Sequence, residues 1–382
     1  MEIFGINLIY IVGIIIFFVL ILFLPRFFRM RIISSVTNFT QELEGMVSDS
    51  KKILVKLSIK EGKPNSDPSH AIDNYLEFFV LPPTDLDPQG VVHKFQKILE
   101  MGENHFQRMA LTIAPNADSE WRANIIMTLK STLAINSVAK MVRHNLELAR
   151  KTGNLQILLM LQMSLPILMR IMKAQFEGTK SFAKGKPIGD GLGPLVAGMI
   201  LKDITEEELE EKDELILARK EIEGIEVTIA RAKGPGARIG KLGIGVTSLI
   251  EEEDIKRIIT VDAAVKLEGE ESGSIAEGIG VVVGGPGVDR WIIEEELLKR
   301  DLQTDAIIVK MSPEEAIGQM NQKILDASKK AVSVVNESIS RSKSGSRILV
   351  VGVGNSCGIP NIILDPEKIN IKKNEPKKEK EG

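Results

Sequence analysis

Cysteine is almost absent from this chain of 382 residues: Cys357 stands alone. A single thiol excludes an intrachain disulfide framework and a Cys-rich zinc site, and it suits a reducing compartment. Histidine is scarce as well, and all four (His70, His93, His105, His144) fall in the first half of the sequence. Two Trp and two Tyr leave little with which to stack bases, and a net charge of −3 gives no general attraction to phosphate backbones. Nucleic acid is therefore not an expected partner. What remains is a chain with 43% hydrophobic residues, enough for a packed core and long enough for two or three domains.

The strongest signal is at the start. "FGINLIYIVGIIIFFVLILFL", Phe4 to Leu24, is a run of 21 residues without a charge. At ~1.5 Å of rise per residue it can cross a ~30 Å hydrocarbon layer. The only charge ahead of it is Glu2, and no small-residue cleavage site follows, so an anchor fits better than a cleaved signal peptide. Arg26, Arg29 and Arg31 come directly after the run and predict a cytoplasmic flank. The expectation is a single-pass protein of the cell membrane. Residues 4–24 contact the lipid bilayer, the N-terminus lies outside and the bulk of the chain is cytoplasmic.

Residues 1–28 thus form an anchor, and 29–181 read as an all-α cytoplasmic region. "RANIIMTLKSTLAINSVAKMVRHNLELARK" repeats apolar residues every three or four positions, and Gly153 with Asn154 ends it. A proline-rich turn, "PPTDLDPQG", precedes another amphipathic stretch. Thr152 to Met169 holds 18 uncharged residues, but Gln156, Gln162, Ser164 and Pro166 interrupt it. It reads as a buried or interfacial helix rather than a second span. From 182 to 364 the texture is α/β, with a largely parallel sheet flanked by helices. Strands are expected at "IEVTIARA", "RIITVDAA", "IGVVVGG", "DAIIVKM" and "RILVVGVG", and helices over 192–202, 205–223, 242–252, 290–301 and 313–341. Residues 365–382 are charged, lack apolar anchors and read as a disordered tail.

Two acids stand out against this frame. Asp190, in "GKPIGDGLGPLVAGMI", sits between glycines just ahead of a helical run whose Pro194 suits a first turn. Asp262 ends the apolar run "IITV" and should emerge at the carboxyl edge of the sheet, where functional groups collect. Facing one cleft, the pair could share a proton or hold a divalent metal; no other cofactor is expected. The plainer alternative makes Asp190 a helix cap and Asp262 a turn acid. "KGPGARIGKLGIG" offers Gly234, Gly236, Arg238, Gly240 and Lys241 as an anion-binding loop. It is not a phosphate loop of the nucleotide-binding type, because Pro235 replaces the first glycine and Leu242 follows Lys241. Cys357 follows a strand with no histidine near in sequence and reads as a small buried hydrophobe.

"GDGLGPLVA" and "IITVDAAVKLEGEESGSIAEGIG" resemble, in the same order, the two signatures of the hydrogenase maturation protease and spore germination protease superfamily, over roughly residues 183–355. The resemblance implies an α/β maturation-protease-like domain and makes Asp190 and Asp262 the counterparts of the proposed catalytic pair. It implies a peptidase (hydrolase) acting on a protein or peptide. The departures are a poor first strand, "SFAKGKPI", and the lack of a histidine in this half to complete a nickel site. The whole chain also resembles an archaeal membrane-anchored family of unknown function. The alternative is a non-catalytic membrane-associated scaffold or anion-binding module on the same fold.

Overall fold

The computed structural model describes residues 8–78, 90–285 and 287–372. The proline-rich turn at 82–88 and the tail beyond 372 lie outside them. Five helices come first: α1 (Leu8–Gly62), α2 (Ser69–Tyr75), α3 (Val91–Ile113), α4 (Ser119–Thr152) and α5 (Leu155–Ala183). An α/β region follows, with α6 (Leu192–Ile200), α7 (Leu242–Glu252), α8 (Val288–Arg300), α9 (Pro313–Ile317) and α10 (Gln322–Ser340). Its strands are β1 (Glu210–Lys212), β2 (Leu215–Ile222), β3 (Ile225–Ala232), β4 (Arg257–Val265), β5 (Ile275–Ile279), β6 (Gln303–Met311) and β7 (Arg347–Gly352).

The chain divides into two compact units. In one, Met1–Asp49 pairs with Ala134–Lys173. Here Val36, Leu43, Val142 and Leu146 are buried, and α1 runs antiparallel to α4, with Arg143 bonded to Glu44 at 2.6 Å and Arg150 to Thr37 at 2.7 Å. The Asn154 side chain accepts the Gln156 amide at 2.9 Å and starts α5, which buries Leu158, Leu165 and Met169. Among the described residues α1, α4 and α5 are long and apolar enough to cross a membrane, which allows membrane association. Only the α1 run is wholly uncovered: every described side chain from Tyr10 to Phe28 is exposed.

The other unit joins Ser50–Leu133 to Ala174–Gly382. Its helical part packs Leu54, Ile72, Ile113 and Leu129 into one core. Its sheet runs β1-β2-β3-β7-β4-β6-β5. The four central strands are parallel, and the outer ones pair antiparallel, so the sheet is mixed rather than largely parallel throughout. Alternate residues face opposite layers. Ile348 and Val350 meet α6 and α10, whereas Leu349 and Val351 meet α7 and α8.

Three expected elements differ. The helix over 205–223 is the β1–β2 hairpin. Leu215 to Ala218 are four consecutive buried residues, which suits a strand covered on both faces. Asp213 and Glu214 take φ of 53° and 61°, the left-handed pair a tight hairpin turn uses. Of the acids in this segment, Glu206–Glu208 form a short 3₁₀ turn and Glu210 and Glu211 lie on the exposed edge strand. The strand expected at 279–285 ends at Ile279, because the amides of Val282 and Gly284 bond side chains, Thr260 and Asp262, instead of a neighbouring strand. The helix over 313–341 breaks between α9 and α10. There Gly318 O accepts from the Gly189 amide and Met320 N donates to Pro187 O. Residues 365–372, assigned to the tail, are ordered: Ile369 is buried and the Lys372 amide bonds Met320 O at 2.7 Å.

One of the tight backbone contacts in this unit is at Gly193 in α6. A Cβ there would stand 2.2 Å from Val353 O and 2.4 Å from Val261 O, backbone atoms that cannot swing away. Gly193→Ala should cost about 1–3 kcal/mol, as overpacking does, with a lower thermal midpoint. Gly278→Ala, where a Cβ meets nothing within 4 Å, should change stability by no more than about 0.5 kcal/mol. Equal midpoints for the two variants would refute this packing.

Candidate active site

Asp262 is the first β4 residue beyond the end of β7, since Val261 pairs with Gly352, the last residue of that strand. Its side chain points the same way as Thr260, two positions earlier, and is 3% exposed. One carboxylate oxygen accepts from the Ala263 amide at 2.7 Å and the other from the Gly284 amide at 3.1 Å. Asp190 lies in the single 3₁₀ turn Gly189–Gly191 that leads into α6, and this turn packs against β4. Its carboxylate makes no helix-capping bond; Oδ2 accepts from the Asn355 amide at 3.0 Å, just past β7. A Cβ on Gly354 would fall 1.9 Å from Asp190 O, so only glycine lets the chain pass so close there.

Burial pushes both carboxyls above the ordinary carboxylate range. For Asp262 the value is about 8, raised first by burial and then by the Asp190 charge, while its two amide partners pull the other way. Among the described residues no cation is bonded to either acid. Apart from the adjacent Ala263 amide, the hydrogen bonds come from backbone amides of loops distant in sequence, which is why Asn355 and Gly284 could not be found from local pattern.

Arg231 was also missed. It is fully buried at the end of β3, where its guanidinium donates to Ile359 O, Pro360 O and Ala232 O. Burial lowers it to about 9. It fastens the loop that follows Asn355, and Gly198 leaves room for it: a Cβ there would sit 2.7 Å from Nη1.

In the glycine-rich loop, Gly236 N and Arg238 Nη1 both donate to Oε2 of Glu120, at 2.5 and 2.7 Å. The carboxylate held there is the chain's own. Burial pushes Glu120 upward, but Arg238 and the Gly236 amide outweigh it and hold the group below its usual range. Gly234 N donates to Asn361 Oδ1, and Gly240 takes φ +70°. Lys241 and Arg238 line a cleft of about 250 Å³ together with Arg122 and Lys130. Ser356 Oγ ties this loop to the one carrying Asn355 through Lys233 O and Gly236 O, each at 2.7 Å. Cys357 is fully buried and its thiol is pushed up to about 12 by burial, as suits an inert core residue.

Among the described residues, no group of three His, Cys, Asp or Glu side chains is placed to hold a metal. Asp190 and Asp262 supply two carboxylates, both already accepting amide bonds, which is a thin donor set for a divalent cation.

The fold is thus an all-helical region followed by a mixed α/β domain of seven strands, with Asp262 buried in β4 and Asp190 half-buried in the turn that packs against it. The chain belongs to the DUF1512 family. Residues 10–185 match its N-terminal domain, described as a protein of unknown function, and residues 188–360 match its C-terminal domain, described as a domain of unknown function. No curated protein and no solved structure matches the chain. The two matches meet just ahead of "GDGLGP", so both acids belong to the C-terminal domain.

A carboxyl that binds its proton more tightly folded than unfolded lowers stability as pH rises. For Asp262 the loss begins near the unfolded value of about 3.9 and is complete above the folded value of about 8. Asp262→Asn, whatever its offset, should flatten the fall in urea-unfolding stability between those limits. A wild-type profile and a variant profile of equal slope would contradict the raised carboxyl.

Proposed function

We propose that this is a membrane-anchored protein whose C-terminal domain is an aspartate-dependent peptidase, with Asp190 and Asp262 as a pair that shares one proton. The observation that carries this reading is the placement of two acids, Asp262 buried and Asp190 half-buried, whose carboxyls are both raised, one acting on the other, with no cation bonded to either among the described residues. Like charges held close cannot both ionise, so near neutral pH the pair holds one proton, with one acid protonated and the other ionised. The ionised acid takes a proton from a water, which attacks the scissile carbonyl carbon. The protonated acid gives its proton to the carbonyl oxygen. The acid that took the water's proton then passes it to the amide nitrogen, and the C–N bond breaks to release the amine. The hydroxyl proton of the collapsing intermediate returns to the other acid as the carboxylic acid product forms. No metal enters this scheme. The reading rests on the chemistry of the pair and not on fold, which is shared by many activities.

The anchor is the apolar start of α1, exposed on every described side chain, with Arg26, Arg29 and Arg31 on a cytoplasmic flank. The substrate is then a protein or peptide reached from the cytoplasmic side. The second reading, a non-catalytic anion-binding module, draws on the cleft beside Arg238 and Lys241.

Two measurements test this. The full-length protein should stay in membranes through an alkaline carbonate wash, and its release would remove the anchor. Membranes carrying it should cleave a library of peptides, and Asp190→Asn or Asp262→Asn should each lower that rate at least ~100-fold, the scale of general acid–base catalysis. Unchanged circular dichroism would show that the variants still fold. Cleavage that survives both substitutions would exclude the pair as its source and leave the binding module as the better account.

A further inference from the structure

The unit built from Met1–Asp49 and Ala134–Lys173 carries a second feature aimed at a bilayer. α5 is apolar on both sides along its first half. Leu158, Leu165 and Met169 face inward, whereas Leu155, Leu159, Met160, Met163 and Ile167 are exposed, Met163 by 79%. A helix apolar all round needs cover on its outer face.

Charge says what covers it. From Ile3 to Gln41 the sequence has Arg26, Arg29 and Arg31 and no acid. From Leu148 to Phe176 it has Arg150, Lys151, Arg170 and Lys173 and again no acid. These two segments lie side by side. Arg150 Nη2 donates to Thr37 Oγ1 at 2.7 Å, Lys173 meets Glu42 at 2.8 Å, and a Cβ on Gly153 would lie 3.7 Å from the Arg29 guanidinium. The α4–α5 turn therefore stands where the apolar run of α1 ends, inside a slab whose two segments carry only cations, with Arg150 pairing to Glu147 and Lys173 to Glu42 at its border, and the exposed stripe starts from that turn.

We propose that the α4–α5 turn and the exposed stripe Leu155–Ile167 lie in the interface of an anionic lipid bilayer, as a second membrane contact beside the α1 anchor. The proposal rests on that anchor. Anionic headgroups neutralise the slab while the stripe enters the boundary with the acyl chains. A second copy of the chain is the weaker occupant, because a symmetric pair would set cations against cations.

The test uses the full-length chain in vesicles, with an environment-sensitive fluorophore on Met163→Cys and, separately, on Phe18→Cys. Buried Cys357 stays unlabelled in both. The vesicles are phosphatidylcholine alone or with added phosphatidylglycerol, and a lipid-borne quencher reads depth. The label at 163 should blue-shift, and its quenching should rise at least about two-fold with the anionic lipid, a gain that high salt reverses. Lys151→Glu with Arg170→Glu should abolish the gain. A label at 163 that stays in water in both lipids, while the label at 18 is quenched, overturns the proposal and leaves the anchor standing. Absence of quenching at 18 removes the anchor reading and this proposal with it. Self-quenching between labels at 163 would give the stripe to a second copy and overturn the lipid assignment.

Discussion

Backbone lying directly on backbone at the start of α6 is the contact on which the candidate site depends. Gly193 lets the helix sit on the carbonyls of Val261 within β4 and of Val353 just past β7. Gly352 and Gly354 give the same closeness from the sheet side, against Gly193 O and Asp190 O. A side chain at any of these positions would lift Asp190 away from the strand that carries Asp262. The site is made by the absence of side chains as much as by the two acids.

Burial then decides the charge states. Asp190 and Asp262 are held by amides alone, and Arg231 by carbonyls alone. Moving a charge out of water without an opposite charge is costly, and the group answers by shifting toward its neutral form. The acids accordingly move up and the arginine down. Glu120 and Arg238 solve the same problem by pairing with each other, and there the acid moves down. Asp289, held by the Gly243 amide, moves up as well, but Asp262 is the acid raised by a neighbouring carboxylate in addition to burial.

Local pattern in the sequence was a good guide where a segment's structure follows from its own residues. The strand at 225–232 and the helix at 242–252 stand where periodicity puts them, and β4 ends one residue beyond its expected limit. The apolar run of α1 was legible by length alone. Pattern failed where a distant segment decides. β2 is a strand because β3 offers it a ladder eight residues long, and the charge density of 205–223 concealed that. The break at Gly318 exists because residues 187–189 use its backbone. Asp190 and Asp262 were visible as acids in unusual settings, whereas their partners, Asn355 and Gly284, come from 165 and 22 residues away. The glycine-rich loop was legible as a set of anion donors, but not the intramolecular carboxylate of Glu120 that fills it.

The central claim is that two carboxyls share one proton. It is tested most directly by carbon-13 NMR titration of the aspartate carboxyls in the wild type and in Asp190→Asn. The account predicts that Asp262 titrates near 8 in the wild type, and at a lower pH once the neighbouring charge is removed. An Asp262 carboxyl that titrates near its ordinary value of about 3.9, unmoved by the substitution, would contradict it.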